Sequence, residues 1–206
     1  AALVAWLSLG GWLYYNTQVL NELTGSHEQE IRQVEYEKKY KTTEKDQLPS
    51  ITDIQYEIDV FPERRQLVMK GKQVLQNKSE QPINTVAFTL MPNLETTIDI
   101  AGAQRESVDD RLGVRTYKFD TPLLPGKNAQ MNYEVKILSQ GIENGVSHVE
   151  VNQNGTFFNN SLAPSIGYAS GRELTNPKTR EKYSLTKSDG FPELSRESAE
   201  CMHHYV

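Results

Sequence analysis

From Ile51 to Phe61 the chain reads ITDIQYEIDVF, in which Ile54, Tyr56, Ile58 and Val60 alternate with Asp53, Gln55, Glu57 and Asp59. A two-residue repeat places the apolar side chains on one face of an extended strand and the polar ones on the other. No helix of 3.6 residues per turn segregates this stretch, so it predicts a strand with one wet face and demands an apolar layer opposite. Pro62-Glu63-Arg64-Arg65 then supplies a turn, and QLVMKGKQVLQN returns as the second strand of a hairpin. Gly71 inside that strand marks a bulge or a close backbone approach.

The punctuation continues in the same manner. NKSEQP is a turn, INTVAFTL a third strand and TTIDIAGA a fourth, and the polar tip ESVDDRLG leads to VRTYKF. TPLLPGKN holds a Pro-Gly turn, after which Met131, Tyr133, Val135 and Ile137 alternate again. VSHVEV and a short strand near Gly155 to Phe158 follow, separated by the Asn-rich turn NQNG. Strands about ten residues apart, joined by turns without long helices, predict a mostly β fold: an antiparallel sandwich or saddle. The pattern argues against a parallel nucleotide-binding sheet. Beyond Pro164 the pattern dissolves into loop and short helix, with Asn176-Pro177 opening PKTREKYSL as cap and first helical residue.

Two segments precede the strands. AALVAWLSLGGWLYYN carries no charge, and its end is aromatic, as at a membrane interface. From Ala1 to Tyr15 it is shorter than the roughly 20 apolar residues that cross a bilayer, and it lacks the basic start of a secretory signal. We expect it to be the outer end of a truncated transmembrane helix; an apolar helix packed on its own domain and an engineered leader are the alternatives. SHEQEIRQVEYEKKY (26–40) then predicts a polar helix, with Ser26 as cap, Gln29 as its capping-box partner, and Tyr36 and Tyr40 one turn apart. Its expected role is a stalk, with the EYEKK face solvated.

Net charge of -5 and a lack of Lys/Arg runs give no general attraction to nucleic acid. The single cysteine, Cys201, precludes an intrachain disulfide and leaves the redox compartment open. Chemistry-bearing motifs are scarce. The histidines His27, His148, His203 and His204 include no H-E-x-x-H pair, and Cys201, His203 and His204 are the one local cluster of soft ligands, at what reads as a frayed end. Ser165 lacks an indicated base and no G-x-S-x-G elbow occurs. Paired-acid hydrolysis stays open, although the carboxylates fall mainly at solvated strand positions. N-x-S/T triplets begin at Asn77, Asn154 and Asn159. The unusual stretch is NGTFFNNSLAPSIGYASGREL, where adjacent phenylalanines put one ring on each face, and Asn159, Asn160 and Ser161 follow before Pro164. It reads either as an ordinary strand end and turn or as a polar lip aimed at a ligand or neighbouring domain.

The succession ITDIQYEIDVFPERRQLVMKGKQVLQN, TPLLPGKNAQMNYEV and NGTFFNNSLAPSIGY resembles the amino-terminal domain of aminopeptidase N-type zinc metallopeptidases, the group that includes leukotriene A hydrolase. With WLSLGGWLYYNTQVLNE and YEKKY included, it resembles bacterial proteins that fuse an ABC-type permease to an aminopeptidase-like region. The resemblance implies a β-saddle that precedes a thermolysin-like catalytic domain. The G-x-M-E-N loop and the zinc helix belong to that next domain and do not occur in this sequence, so it implies no cofactor here and zinc in the neighbour. It further implies that one side chain near the end of the saddle's last strands holds the substrate's free amino group. By position this falls on Asn159 or Asn160, where many relatives carry Glu or Gln.

The expected organisation is an apolar helix end at 1–24, a polar helical stalk at 25–50, a β-saddle at 51–185, and an interdomain linker at 186–206. The expected function is a non-catalytic domain that supports a membrane-tethered aminopeptidase and lines part of its peptide cleft. An extracytoplasmic binding or scaffold module of an ABC-type transporter with an inactive peptidase-like region is the alternative, and a self-contained hydrolase a third. Implied partners are the downstream catalytic domain, peptide substrates and, through the N-terminal segment, the membrane, with the domain on the periplasmic side.

Overall fold

A computed structural model describes residues 2–20, 24–92, 94–139 and 151–186, apart from the Asn152 side chain. The fold is mostly β: two four-stranded antiparallel sheets and a two-stranded hairpin, preceded by two helices.

The ITDIQYEIDVF alternation becomes β1 (Ser50–Phe61), and the turn after it is one 3-10 turn, Pro62–Arg64, closed by Arg65 in the left-handed region (φ 52°). β2 (Gln66–Gln76) returns antiparallel with Tyr56 opposite Gly71. β3 (Ile83–Thr89) and β4 (Glu95–Ile100) follow. Gly102 (φ 73°) turns the chain into β5 (Ala103–Asp109), which pairs with β6 (Val114–Leu123). β7 (Asn128–Leu138) lies between β2 and β4. The first sheet has the order β1-β2-β7-β4, and the second is β10-β3-β6-β5, where β10 is Ser165–Ile166. β8 (Val151–Asn152) and β9 (Gly155–Thr156) form the hairpin.

The reading of ESVDDRLG as a turn is corrected. Its first half belongs to β5, an edge strand exposed along almost all of its length, so no apolar alternation betrays it. The tip is Asp110–Gly113 alone. The strand expected at VSHVEV falls, except for Val151, outside the described residues.

The core lies between the sheets. Leu67, Met69 and Leu75 of β2 and Met131, Val135 and Ile137 of β7 meet Val86 and Phe88 of β3 and Tyr117 and Phe119 of β6. Gly71 is the close approach its position predicts: a Cβ there would stand 2.1 Å from Tyr133 Cζ, so only glycine lets the Tyr133 ring cross β2. β1 is buried less than its alternation suggests. Ile54 is 49% and Tyr56 39% exposed, since β1 is the border strand of its sheet.

α1 (Ala2–Tyr14) buries none of its side chains, and Leu3, Trp6, Leu9 and Trp12 are all exposed. A short π-helical turn, Tyr15–Val19, continues it, with Asn16 Nδ2 donating to the Trp12 carbonyl. Among the described residues no helix is long and apolar enough to cross a membrane. α2 (Ser26–Tyr40) covers the expected residues, but Gly25 holds the cap position, and Gln29 Nε2 donates to the Thr24 carbonyl rather than closing a capping box. Its EYEKK face is solvated only in part: Glu35, Lys38 and Lys39 are exposed, but Tyr36 is fully buried and Glu37 nearly so.

Candidate functional site

The stretch singled out in the sequence forms a lip anchored at both ends. Phe158 packs on the core while Phe157, on the opposite face, is 79% exposed. The chain then enters a 3-10 turn, Asn160–Leu162, whose Leu162 and Ala163 are core residues. β10 zips the far end to β3, with Ser165 opposite Thr89 and Ile166 opposite Phe88. Asn159 and Asn160 therefore stand exposed on a turn whose two flanks are fixed.

The two asparagines differ. Asn159 Oδ1 accepts the Ser161 N–H at 2.9 Å, an Asx-type turn that commits one lone pair of its amide oxygen. Asn160 starts the turn, and its backbone carbonyl accepts the Ala163 N–H at 3.0 Å. An amide oxygen accepts hydrogen bonds from an ammonium group, but without the added strength of a carboxylate.

The β8–β9 hairpin faces the β1–β2 turn across an open cavity of about 470 Å³ lined by Glu63, Arg65, Gln153 and Asn154. Of the three N-x-S/T triplets, the one at Asn77 is closed. Asn77 is fully buried and its Nδ2 donates to the carbonyls of Gln81 and Leu123, both at 2.7 Å. Asn154 and Asn159 are exposed.

His27 is exposed at the start of α2, and Ser165 is exposed on β10. His148, Cys201, His203 and His204 lie outside the described residues. Among the described residues no group of three or more His, Cys, Asp or Glu side chains is placed to hold a metal ion.

A second cluster was not visible in the sequence, because its members lie about 50 to 150 positions apart. The Tyr36 ring stacks on Tyr168 with centroids 5.1 Å apart, and the Arg172 guanidinium lies 4.4 Å from its centroid. Thr89 Oγ1 gives its one hydrogen to the Gly167 carbonyl, so the Tyr36 hydroxyl donates to Thr89 Oγ1 and accepts the Ala169 N–H. α3 (Pro177–Lys182), capped by Asn176 Oδ1, carries Arg180 to Glu37. That pair is bidentate, at 2.9 and 2.5 Å, with both side chains 4% exposed. The remaining Arg180 N–H groups reach the carbonyls of Leu174 and Thr186.

Around this pair the charges are partnered. Lys41 and the Tyr168 hydroxyl both reach Glu173, and burial together with that hydrogen bond pushes the Tyr168 phenol well above its ordinary pKa. Burial alone would raise the Asp109 carboxyl, but hydrogen bonds from Lys39, the Leu112 N–H and Tyr40 outweigh it and hold the group below the usual range. α2 is thus fastened to β3, the β5–β6 turn and the segment 167–183.

No protein-family model matches the chain, and no curated protein matches it. Among solved structures it is similar to a point mutant of a two-domain M1 zinc metallopeptidase bound to L-tryptophan, with a TM-score of 0.36 and 9% identity over 46% of this chain and 22% of that one. A second, an M1 zinc metallopeptidase mutant from Deinococcus radiodurans bound to a Tyr-Ser-Ala substrate, gives 0.35 and 10% over 45% and 22%. The match thus spans about a fifth of those chains.

Proposed function

We propose that this chain is a non-catalytic β-domain of a membrane-tethered, zinc aminopeptidase-like protein, and that it supports the catalytic domain and forms one wall of its peptide cleft. The observation that carries the reading is the lip. Phe157, Asn159 and Asn160 are presented outward by a segment whose flanks are locked into the core and onto β3, in the stretch whose sequence resembles the family's substrate-facing region. Its role there is hydrogen bonding to the amino end of a peptide through an amide oxygen, with Asn160 better placed because Asn159 Oδ1 already accepts from Ser161. Zinc and the residues that activate water belong to the neighbouring domain.

The tether in this reading is α1. A helix that is apolar on every side suits a lipid or protein interior rather than water. Its aromatic end, Trp12, Tyr14 and Tyr15, suits the headgroup level, with the β-domain on the periplasmic side.

Three measurements test this. Purified chain 1–206 is expected to leave aminoacyl reporter substrates intact, whereas the full-length protein hydrolyses them in a chelator-sensitive manner. In the full-length protein Asn160→Ala raises KM about tenfold, the scale of one lost hydrogen bond to a charged group, while Asn160→Gln retains most of the binding. A full-length protein without peptidase activity overturns the enzyme reading, and an unchanged KM overturns the assignment of Asn160. Topology reporters fused at Asn21 check the tether; a cytoplasmic signal there refutes the periplasmic placement.

A further inference from the structure

β1 pairs with β2 along its length and forms a border of the first sheet; among the described residues no strand lies on its other side. Twelve residues long, it spans about 40 Å and presents a row of backbone N–H and C=O groups along that border. Its outer face carries Asp53, Gln55, Glu57 and Asp59, and the segment Ser50–Phe61 has no Lys or Arg. Its inner face carries Ile54 and Tyr56, 49% and 39% exposed, between the partly buried Ile51, Ile58 and Val60.

These features select a partner. A second copy adding antiparallel, in phase about Tyr56, sets Asp53 against Asp59. Neighbouring in-phase registers set Asp53 against Glu57, Glu57 against itself, or Glu57 against Asp59. Like charges directly opposite destabilise a strand pair, and shifting by one residue buries the acids instead. The strand that β1 does accept, β2, is complementary at the centre of the register: Lys70 stands opposite Glu57 and Lys72 opposite Gln55, flanked by Val68 opposite Asp59 and Val74 opposite Asp53, while Leu67 and Met69 lie opposite Val60 and Ile58 on the inner face.

We propose that the open border of β1 receives an extended peptide segment that alternates Lys or Arg with apolar residues, added antiparallel as a fifth strand. Its cations face Asp53, Glu57 and Asp59, and its apolar residues cover Ile54 and Tyr56. Main-chain hydrogen bonds supply affinity and the alternate side chains supply selectivity. This proposal does not depend on the role proposed for the lip.

The test uses chain 1–206 and two labelled peptides, one alternating Lys with Val and one alternating Glu with Val, followed by fluorescence anisotropy and amide hydrogen exchange. The Lys–Val peptide is expected to bind, the Glu–Val peptide not to bind, and amide exchange in β1 to slow on binding while that in β4 stays unchanged. The variant D53N/E57Q/D59N, checked for folding by circular dichroism, is expected to lose about tenfold in affinity. Should that variant not fold, protection of β1 in the native chain decides alone. Equal binding of both peptides, binding without protection of β1, no binding, or dimerisation of the chain through β1 would each overturn the proposal.

Discussion

Removing Glu37 is expected to destabilise this domain far more than a surface charge would. Arg180 is 4% exposed, and two of its N–H groups end on the Glu37 carboxylate. Glu37→Leu leaves a buried guanidinium whose remaining carboxylate, Glu173 Oε2, is 3.9 Å away; breaking such a pair from one side costs about 3–5 kcal/mol. Against a total stability of about 5–15 kcal/mol, that is a large share. With a urea m-value of about 2 kcal/mol/M, the midpoint falls by about 1.5–2.5 M. Replacing both partners, Glu37→Leu with Arg180→Met, removes the orphaned charge; the carbonyls of Leu174 and Thr186 lose their donors, while Glu173, which Arg180 also approaches at 3.9 Å, keeps Lys41 and the Tyr168 hydroxyl. The double variant is therefore expected to be more stable than Glu37→Leu alone. Arg111→Ala is the control: this residue bridges Glu28 and Glu35 but is half-exposed and screened by solvent, so its loss is expected to leave the urea midpoint nearly unchanged. Urea unfolding is followed by far-ultraviolet circular dichroism, because both tryptophans, Trp6 and Trp12, sit in α1 and report nothing on the sheets. A cost below 1 kcal/mol for Glu37→Leu, or single-variant costs that simply add in the double variant, refutes the reasoning.

Gly71→Ala forces a methyl into the Tyr133 ring and is expected to cost about 1–3 kcal/mol in urea unfolding; Tyr133→Leu in the same chain is expected to recover part of that loss. Since the Asp109 carboxyl titrates below its unfolded value, its contribution is present above that value, near 3.9, and is lost as pH falls through the folded pKa. Asp109→Asn should therefore reduce stability at pH 6 and flatten the acid side of the stability–pH curve; an unchanged acid slope counts against the assignment. Asn176→Ala removes the oxygen that accepts from the N–H groups of Lys178 and Thr179, and is expected to lower stability by about 1 kcal/mol.

What the sequence revealed follows from the range of each signal. Strand alternation is local, so the β1–β2 hairpin, β7 and the Pro-Gly turn before it were readable, as was the Asn176-Pro177 helix start. β5 was missed because an exposed edge strand needs no alternation; only its hydrogen bonds to β6 define it. The capping box at Ser26 failed because the motif permits a cap without requiring it, and Gly25 takes the position instead. The burial of Tyr36 and Glu37 had no local signature, since their partners Tyr168, Arg172 and Arg180 lie more than 130 residues away and a charge-dense EYEKK is ordinarily a wet face. At the lip, the split between Phe157 and Phe158 was legible, although the strand expected to run to Phe158 ends at Thr156. The Asx turn that commits Asn159 was not.

The fastening of α2 also bears on the lip. β10 joins β3 at Thr89, and Thr89 Oγ1 ties the Gly167 carbonyl to the Tyr36 hydroxyl, which also holds the Ala169 N–H. The far flank of the Asn159–Asn160 turn is thus fixed from α2, a helix 120 residues earlier in the chain. Tyr36→Phe keeps the ring stack on Tyr168 while removing the oxygen, leaving the partly buried Ala169 N–H without its acceptor; the cost expected is at the low end of the range for such an orphan, about 1 kcal/mol. If the flank is fixed in this way, amide exchange should accelerate at Gly167 to Ala169 while the β7 amides keep their protection. Uniform acceleration across both sheets would instead mean that Tyr36 acts on global stability, and that the lip owes its position to β10 alone.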